Sequence, residues 1–330
     1  MAPLPAAIGR FGARKILCAL LGVALLPLVA VSLLSFLGAF SLWLDLFSHF
    51  RLQYALIFAV CSPVFYVLRS HLLAIVSFAS ALLNLACVGL LWLPNAGAAG
   101  IENSQHHCKL SIMNLNLQYG NRQYDAVDAV IRRFDPDVVT LQELSPAMFE
   151  HFQKVFTDYQ YSLATPRNDP YGIGILSKKR FVASDVNPLK LPVNLVMQAD
   201  VDADGLPITV MATHVCGPTS SVGYDLDMEL VRALKAFCLQ RPNQALVLIG
   251  DCNSTPWSYL FQSILKAGPF LDSERGFGLQ CSWPVGIWWL NIPIDHCFYS
   301  QDLFCCQRLL APSVGSDHRP LFVQVGSAQK

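Results

Sequence analysis

Polar residues suited to catalysis follow apolar segments at six places in this 330-residue chain. Those places are Asn116, Gln142-Glu143, Thr213-His214, Asp251 with Asn253, Asp295-His296 and Ser316-Asp317-His318. Carboxylate oxygens are preferred ligands of a hard divalent cation. A His that is oriented by a carboxylate can carry a proton or stabilise negative charge. Strand ends hold side chains rigidly, so six such endings in one region indicate a functional site.

The apolar segments before these groups predict the strands that must position them. Predicted strands cover residues 109–117, 137–141, 172–177, 208–213 and 245–249, with the last ones around 295–299 and 320–325. Two amphipathic helices are predicted, one with Tyr124, Val127, Ile131 and Phe134 on its apolar face and one over 225–239 with Leu226, Leu230, Leu234 and Phe237 inward. Because strands and helices mix without strict alternation, a mixed α/β sandwich is favoured over a doubly wound parallel sheet.

Seven stretches occur in a distinctive order over residues 109–325. They are MNLNLQYGN, VVTLQEL, GIGILSK, MATHVCGP, LIGDCNSTP, IPIDHCFYS and GSDHRPLFV. In type and order they resemble the endonuclease/exonuclease/phosphatase superfamily, which has the DNase I-like fold. The resemblance implies an α/β four-layer sandwich of two mixed β-sheets flanked by helices. The arrangement of N-terminal apolar helices before this domain is similar to a bacterial membrane-anchored branch of the family.

The resemblance implies a metal site built on Glu143, with Asn116 supporting the metal or the phosphate and Asp317 as a further metal contact. Mg²⁺ is the expected cofactor and Mn²⁺ the alternative, since a hard cation is bound by oxygen ligands. Many family members carry a second acidic ligand two residues after the Asn, where this chain has Gln118. That difference favours one metal ion over two.

The catalytic roles that the resemblance implies fall on the His and Asp residues. Asp295 orients His318, which contacts the scissile phosphate or transfers a proton. Asp251 aligns or deprotonates the attacking water, Asn253 donates a hydrogen bond to a phosphate oxygen, and His214 binds phosphate or donates a proton. The alternative for the Asp-x-Asn motif is an Asx-turn that closes a strand.

Other residues give weaker indications. Arg319 follows His318 and is a candidate phosphate ligand. Cys252 is interpreted as structural, because it lies between Asp251 and Asn253 on an extended segment and would point away from them. His296 is interpreted as a packing residue, because the resembled family often has an aromatic residue at this position. Trp283, Trp288 and Trp289 could stack on bases, enter lipid headgroups or cover the edge of the core, and the last alternative is favoured.

The N-terminal region is a different kind of sequence. Between Ile16 and Pro94 the only charged residues are Asp45, Arg51 and Arg69. Three transmembrane helices are predicted at about 16–40, 52–68 and 72–93, because each apolar run is long enough to cross the hydrocarbon layer. The second run is bounded by Arg51 and Arg69. Two spans are the alternative.

Basic residues predict how the chain is oriented. Arg10, Arg14 and Lys15 precede the first span, so this end is expected in the cytoplasm. Three crossings place the following residues outside the cytoplasmic membrane, in the periplasm of a bacterium. We therefore predict a multi-pass inner-membrane protein with a membrane region over 1–94, a linker over 95–108 and a catalytic domain over 109–328.

Composition restricts the function further. Lys+Arg and Asp+Glu both number 23, so the chain lacks the excess basic charge of a bulk nucleic-acid binder. None of the eleven Cys residues forms a CxxC pair, which argues against a zinc site. Disulfides are compatible with export, but the sequence does not give their pairing.

The predicted function is a membrane-anchored, Mg²⁺-dependent phosphoesterase that hydrolyses a phosphodiester by in-line attack of water, as a nuclease does. One alternative is a lipid or inositol-phosphate phosphodiesterase or phosphatase, similar to a sphingomyelinase. A further alternative is a catalytically silent module that binds phosphorylated ligands. The expected partners are a phosphate-ester substrate, nucleic acid or phospholipid, and the membrane itself; no protein partner can be inferred.

Overall fold

The computed structural model of the protein describes residues 6–95, 108–193, 195–218 and 220–327. The chain forms two compact units, residues 1–90 and residues 91–330. Most of the predicted linker lies outside the described residues. Its two ends belong to the second unit, because Cys108 starts the first strand and Asn95 Nδ2 donates to the Asp272 carbonyl at 2.8 Å.

The first unit is helical. Its helices are α1 (Ala6–Leu34), α2 (Leu42–Leu46), α3 (Arg51–Val67) and α4 (His71–Gly89). Together with short 3₁₀ turns they give three apolar stretches long enough to cross a membrane, Gly12–Phe40, Leu42–Val67 and His71–Trp92. Three long apolar helices therefore agree with the three predicted spans. The second stretch begins earlier than predicted, because the 3₁₀ turn Phe47–Phe50 continues α2 into α3.

Arg51, which bounds the second apolar run in the sequence, is buried inside the helical unit. Its Nη1 donates to the Ser32 carbonyl at 3.0 Å and to Asn84 Oδ1 at 3.2 Å, and its guanidinium lies over the Phe36 ring. These contacts join α1, α3 and α4. The charge is accommodated because polar groups of two other helices face it.

The second unit contains two six-stranded mixed sheets. The first sheet contains β1 (Cys108–Asn116), β2 (Val138–Gln142), β3 (Tyr161–Thr165), β4 (Ile173–Ser177), β11 (Leu303–Leu310) and β12 (Leu321–Ser327), in the order β11-β12-β1-β2-β4-β3. The second contains β5 (Phe181–Asp185), β6 (Val196–Ala203), β7 (Leu206–His214), β8 (Ala245–Asp251), β9 (Phe270–Asp272) and β10 (Asp295–Ser300), in the order β5-β6-β7-β8-β10-β9.

Helices cover the outer face of each sheet. They are α5 (Tyr124–Phe134), α6 (Pro146–Val155), α7 (Ser221–Leu239) and α8 (Tyr259–Leu265). One buried cluster lies between the sheets, a second joins the first sheet to α5 and α6, and a third joins the second sheet to α7 and α8. The predicted four-layer sandwich is therefore confirmed. Burial of each Val, Leu or Ile side chain in these clusters contributes about 1.5–3 kcal/mol.

The helix starts follow from capping residues. Ser220 accepts a hydrogen bond from the Gly223 amide, so α7 begins at Ser221 and not at the predicted residue 225. α6 was not predicted, although Ser145 caps it and Pro146 occupies its first position. The predicted apolar face of α7 is confirmed for Leu230 and Leu234, which are fully buried.

Candidate active site

The functional side chains continue the face of each strand that points between the two sheets. Successive residues of a strand face opposite sides. In β8, Val247 and Ile249 pack between the sheets whereas Leu246 and Leu248 pack against the helices. Asp251 has the same parity as Val247 and Ile249, so its carboxylate lies at the end of the gap between the sheets. The same parity places Asn114, Asn116, Gln142, His214 and Asp295 there.

Strand pairing brings these residues to one end of the sandwich. β7 and β8 are parallel, with His214 opposite Asp251. β8 and β10 are antiparallel, so the last residue of β8, Asp251, lies opposite the first residue of β10, Asp295. In the first sheet β1 is parallel to β2, which sets Asn116 opposite Gln142 and next to Glu143.

A buried His–Asp pair lies at the centre of the site. His318 Nδ1 is 2.8 Å from Asp295 Oδ2. The other carboxylate oxygen of Asp295 accepts from Asn114 Nδ2 at 3.3 Å. Asn114 is itself fixed, because its Oδ1 accepts from Thr140 Oγ1 and Gln142 Nε2, both at 2.8 Å. The His318 ring is therefore held by a chain of hydrogen bonds that extends into the first sheet.

The charge of this pair is stabilised by its neighbours. His318 Nε2 lies 3.6 Å from Asp251 Oδ2. Burial opposes the imidazolium, but the carboxylates of Asp295 and Asp251 outweigh it and raise the pKa of His318 to about 10. Burial also raises the pKa of Asp251, against the opposing effect of His318. At neutral pH His318 thus has the character of a cation whose second ring nitrogen, Nε2, faces Asp251.

Glu143 joins this group through Asn116. Asn116 Nδ2 donates to Asp251 Oδ2 at 3.0 Å and to Glu143 Oε1 at 3.3 Å. Glu143 Oε2 accepts from the Tyr119 amide at 2.6 Å. Glu143 has a left-handed backbone (φ +53), which turns its side chain out of the strand path. The Asn116 amide oxygen accepts from the Gln118 amide at 3.0 Å, and the support of a metal or phosphate by Asn116 stays a prediction.

His214 and Asn253 flank Asp251 on its other side. His214 Nε2 is 3.8 Å from Asp251 Oδ2, and its Nδ1 is buried with no hydrogen-bond partner among the described residues. Asn253 is in the left-handed region (φ +45), so the expectation of an extended Asp-x-Asn segment is wrong. Its backbone N–H donates to Asp251 Oδ1 at 2.8 Å, and its side-chain Nδ2 donates to the Val215 carbonyl at 2.9 Å. The motif is an Asx-turn that also leaves one amide hydrogen of Asn253 for a ligand.

The residues around His318 have different orientations. Asp317 Oδ2 accepts from Trp283 Nε1 at 2.9 Å, and the Trp283 ring centroid is 6.4 Å from that of His318. Arg319 points away from the site, because its Nε and Nη2 donate to the Ala311 and Leu310 carbonyls. The expectation that Arg319 binds phosphate is therefore corrected.

The chemistry of the donor set suits a divalent cation. Ligand atoms of Asp251, Asp295 and His318 lie within 4.8 Å of one another, and Glu143 is linked to Asp251 through Asn116. Because His318 is protonated and paired with Asp295, a cation here would be held by carboxylate oxygens and not by the imidazole. Carboxylate oxygens dominate this set, as a hard cation requires. Cys252 is buried on the opposite face of the sheet, against the α7 and α8 core, as expected for a structural thiol.

Comparison with known proteins agrees with this geometry. The family model described as Endonuclease/Exonuclease/phosphatase family matches residues 113–318, from β1 to His318. The chain belongs to this family. Members of the family are metal-dependent phosphoesterases, so the chain is assigned as a hydrolase of phosphoric ester bonds. A search of curated proteins gave no match.

Solved structures of the family share the fold at low identity. The human Nocturnin catalytic domain with bound sulfate is 16% identical, with a TM-score of 0.55 over 68% of this chain and 95% of that chain. The 3' phosphatase NExo from Neisseria, bound to a product DNA hairpin, is 18% identical, with a TM-score of 0.54 over 65% and 98%. An AP endonuclease from Archaeoglobus fulgidus is 16% identical, with a TM-score of 0.53 over 65% and 98%. At these identities the similarity concerns the fold alone.

In this chain, three residues in or beside the candidate site were not predicted from the sequence as functional. Asn114 has the strand parity of Asn116, so alternation alone could have added it to the site. Trp283 lies in a segment without periodicity, and nothing in its surroundings indicates a contact with Asp317. Asp227 is buried in α7, where its Oδ1 accepts from the Cys216 amide at 2.9 Å and fixes the segment after His214.

His296 is confirmed as a packing residue. It is fully buried, with its ring 4.6 Å from the Phe261 ring and its Nε2 2.8 Å from the Ser254 carbonyl. Burial lowers the pKa of His296 to about 3, so the ring is neutral. It lies on the helix-facing side of β10, opposite to Asp295.

Proposed function

We propose that this chain is a magnesium-dependent phosphodiesterase of the nuclease-like type that works by in-line attack of water on phosphorus. The observation that supports the proposal best is the convergence of Glu143, Asp251, Asp295, His318 and His214 at one end of the gap between the sheets. These residues are far apart in the sequence, and together they supply a carboxylate set for a cation, a charged imidazole and a second His.

Each side chain has a role that follows from its surroundings. Asp251 accepts a proton from the attacking water or orients it, since its pKa is raised by burial. His318, kept protonated by Asp295, stabilises charge on the phosphate oxygens. His214 has an unused Nδ1 and its Nε2 faces Asp251, so it can bind a phosphate oxygen or give a proton to the leaving group.

Glu143 would hold Mg²⁺ beside Asp251, with Asp317 as a further carboxylate ligand. When bound, the ion would neutralise charge on the phosphate and lower the pKa of a ligated water. Asn116 positions the carboxylates of Glu143 and Asp251 through its NH₂ group. The free amide hydrogen of Asn253 is available for a phosphate oxygen.

A substrate panel tests the proposal. The full chain, purified in detergent and stripped with EDTA, is assayed with Mg²⁺ or Mn²⁺ on bis(p-nitrophenyl) phosphate, DNA, RNA, phospholipid and a phosphomonoester. His318→Ala should abolish the metal-dependent activity. The matched control is His151→Ala, which removes another His–Asp pair, with Asp128, on the outer helices. Activity that survives both EDTA and His318→Ala would refute the mechanism.

We also propose that the catalytic unit lies outside the cytoplasmic membrane. Three long apolar helices precede it, and Arg14 and Lys15 lie at the start of the first. A disulfide joins Cys108 to Cys306, and disulfides persist in oxidising compartments such as the periplasm. A reporter enzyme that works only after export should be active when it is fused after Lys330. Activity of a cytoplasm-specific reporter at the same position would contradict the orientation.

A lipid phosphodiester is the second candidate substrate. The segment 283–292 contains no charged residue, and its first residue, Trp283, contacts Asp317 in the site. Trp288 is 81% exposed and Trp289 is 59% exposed, so these two rings do not cover the core edge as expected. An uncharged segment with exposed indoles suits a lipid interface better than a polyanion. Trp288→Ser should reduce hydrolysis in phospholipid vesicles but not of bis(p-nitrophenyl) phosphate if lipid is the substrate.

A further inference from the structure

A cleft of about 530 Å³ lies in the helical unit, between α1 and the turn that joins α3 to α4. Arg14, Lys15 and Arg69 all line it, although Arg69 is distant from the other two in the sequence. None of the described residues that line the cleft is acidic. Three positive charges therefore meet at one end of the apolar helices, where they attract an anion.

The rest of the cleft is an apolar groove, open along α1, where Val23 is 71% and Leu26 is 56% exposed. Ala19, Val23 and Leu26 of α1 line one side, and Leu73 of α4 lines the other. Gly22 lets the two helices approach closely, because a Cβ at that position would lie 3.1 Å from Leu73 Cδ1. An apolar chain fits this part of the cleft, whereas a free inorganic anion would leave it empty.

The start of α4 adds to the positive potential. Ser70 is the N-cap residue of this 19-residue helix and lines the cleft, yet its side chain makes no capping hydrogen bond. The first amide groups of a helix carry partial positive charge and bind phosphate readily. The helix start thus faces the same space as the three cations.

We propose that this cleft binds an anionic phospholipid. Its phosphodiester headgroup lies among Arg14, Lys15 and Arg69, and one acyl chain follows Ala19, Val23 and Leu26 into the apolar part. Basic pockets between transmembrane helices recognise anionic headgroups in this way. A zwitterionic lipid is disfavoured because its ammonium group would lie close to the three cations. The site is separate from the phosphoesterase site and does not depend on the proposed function.

Native mass spectrometry of the full chain, released from detergent with equal amounts of phosphatidylglycerol and phosphatidylcholine, tests the proposal. The wild-type protein should retain phosphatidylglycerol preferentially. Each neutralised cation should weaken this retention about fivefold. Lys15→Gln combined with Arg69→Gln should therefore bring it close to the phosphatidylcholine level.

Two further variants separate the contributions. Ala19→Phe fills the apolar part without changing charge, and it should reduce phosphatidylglycerol retention. Lys235→Gln removes an exposed cation from α7 in the second unit and should change nothing. Gel filtration and a thermal melt report whether each variant is folded. Equal retention of the two lipids by the wild-type protein, or unchanged retention by the folded double variant, would overturn the site.

Discussion

The Asp295→Asn substitution tests the His–Asp pair with almost no change in shape. Asp295 accepts from His318 on one oxygen and from Asn114 Nδ2 on the other. Asn114 cannot turn its oxygen toward position 295 without losing its bonds from Thr140 and Gln142. The new amide must therefore point its oxygen at Asn114 and its NH₂ at His318.

This arrangement inverts the hydrogen bonding of the imidazole. His318 Nδ1 would have to accept a hydrogen bond, so the ring would be neutral with its proton on Nε2. The pKa of His318, now raised to about 10 by the two carboxylates, would fall. In the His–Asp pair of serine proteases, a tautomer exchange of this kind lowers kcat about 10⁴-fold. We expect a 10³- to 10⁴-fold loss in kcat, equal to about 4–5.5 kcal/mol.

The assay is the initial rate of bis(p-nitrophenyl) phosphate hydrolysis by the full chain across pH 6–10, with Mg²⁺ present. Asp128→Asn is the matched control, because Asp128 forms the other His–Asp pair, with His151, away from the site. The control should keep wild-type activity. If Asp295→Asn retains more than a tenth of the wild-type kcat, the role assigned to the His318 charge is wrong.

Three other perturbations have defined outcomes. Trp283→Phe removes the donor to the Asp317 carboxylate and should lower kcat/KM about tenfold, measured in the same assay, with an unchanged Tm. Replacing Cys108 and Cys306 together by Ser should lower the free energy of unfolding by about 2–5 kcal/mol in non-reducing melts; an unchanged Tm would contradict this. Burial raises the pKa of Asp227 from 3.8 to about 8, so the folded state holds a proton that the unfolded state releases. The stability that this proton contributes is complete below pH 3.8 and is lost as pH rises through 8. Over this range the free energy of unfolding falls by about 1.4 kcal/mol per pH unit. Denaturant titrations between pH 5 and pH 8 should show a smaller dependence of the free energy of unfolding on pH for Asp227→Asn than for the wild-type protein. Equal slopes for the two proteins would contradict the raised pKa of Asp227.

The sequence predicted the strands that carry the site because their apolar residues alternate or run continuously up to a polar end. β8 is the clearest case, since ALVLI leads directly to Asp251. The strands β3, β5, β6, β9 and β11 were not predicted. β6 is largely buried, but Gln198, Asp200 and Asp202 interrupt its apolar residues. The other four are the edge strands of the two sheets, which are short or keep partly exposed residues. Their pattern lacks the apolar content that identifies a central strand.

Backbone conformation was the part of the site that the sequence did not predict. Glu143 and Asn253 both adopt left-handed conformations, although neither is Gly. Such conformations depend on tertiary contacts, here on the Tyr119 amide for Glu143 and on the Val215 carbonyl for Asn253. The direction of Arg319 is set in the same way by the carbonyls of Leu310, the last residue of β11, and of Ala311.

The placement of the site follows from which strands are parallel. Parallel partners end at the same edge, so β7 and β8 deliver His214 and Asp251 together. An antiparallel partner contributes to that edge only through its first residue, and β10 begins at Asp295. The close approach of β7 and β8 depends on Gly250, because a Cβ there would lie 1.9 Å from the Thr213 carbonyl oxygen. Any side chain at position 250 must separate the two strands, so this glycine determines the distance between His214 and Asp251.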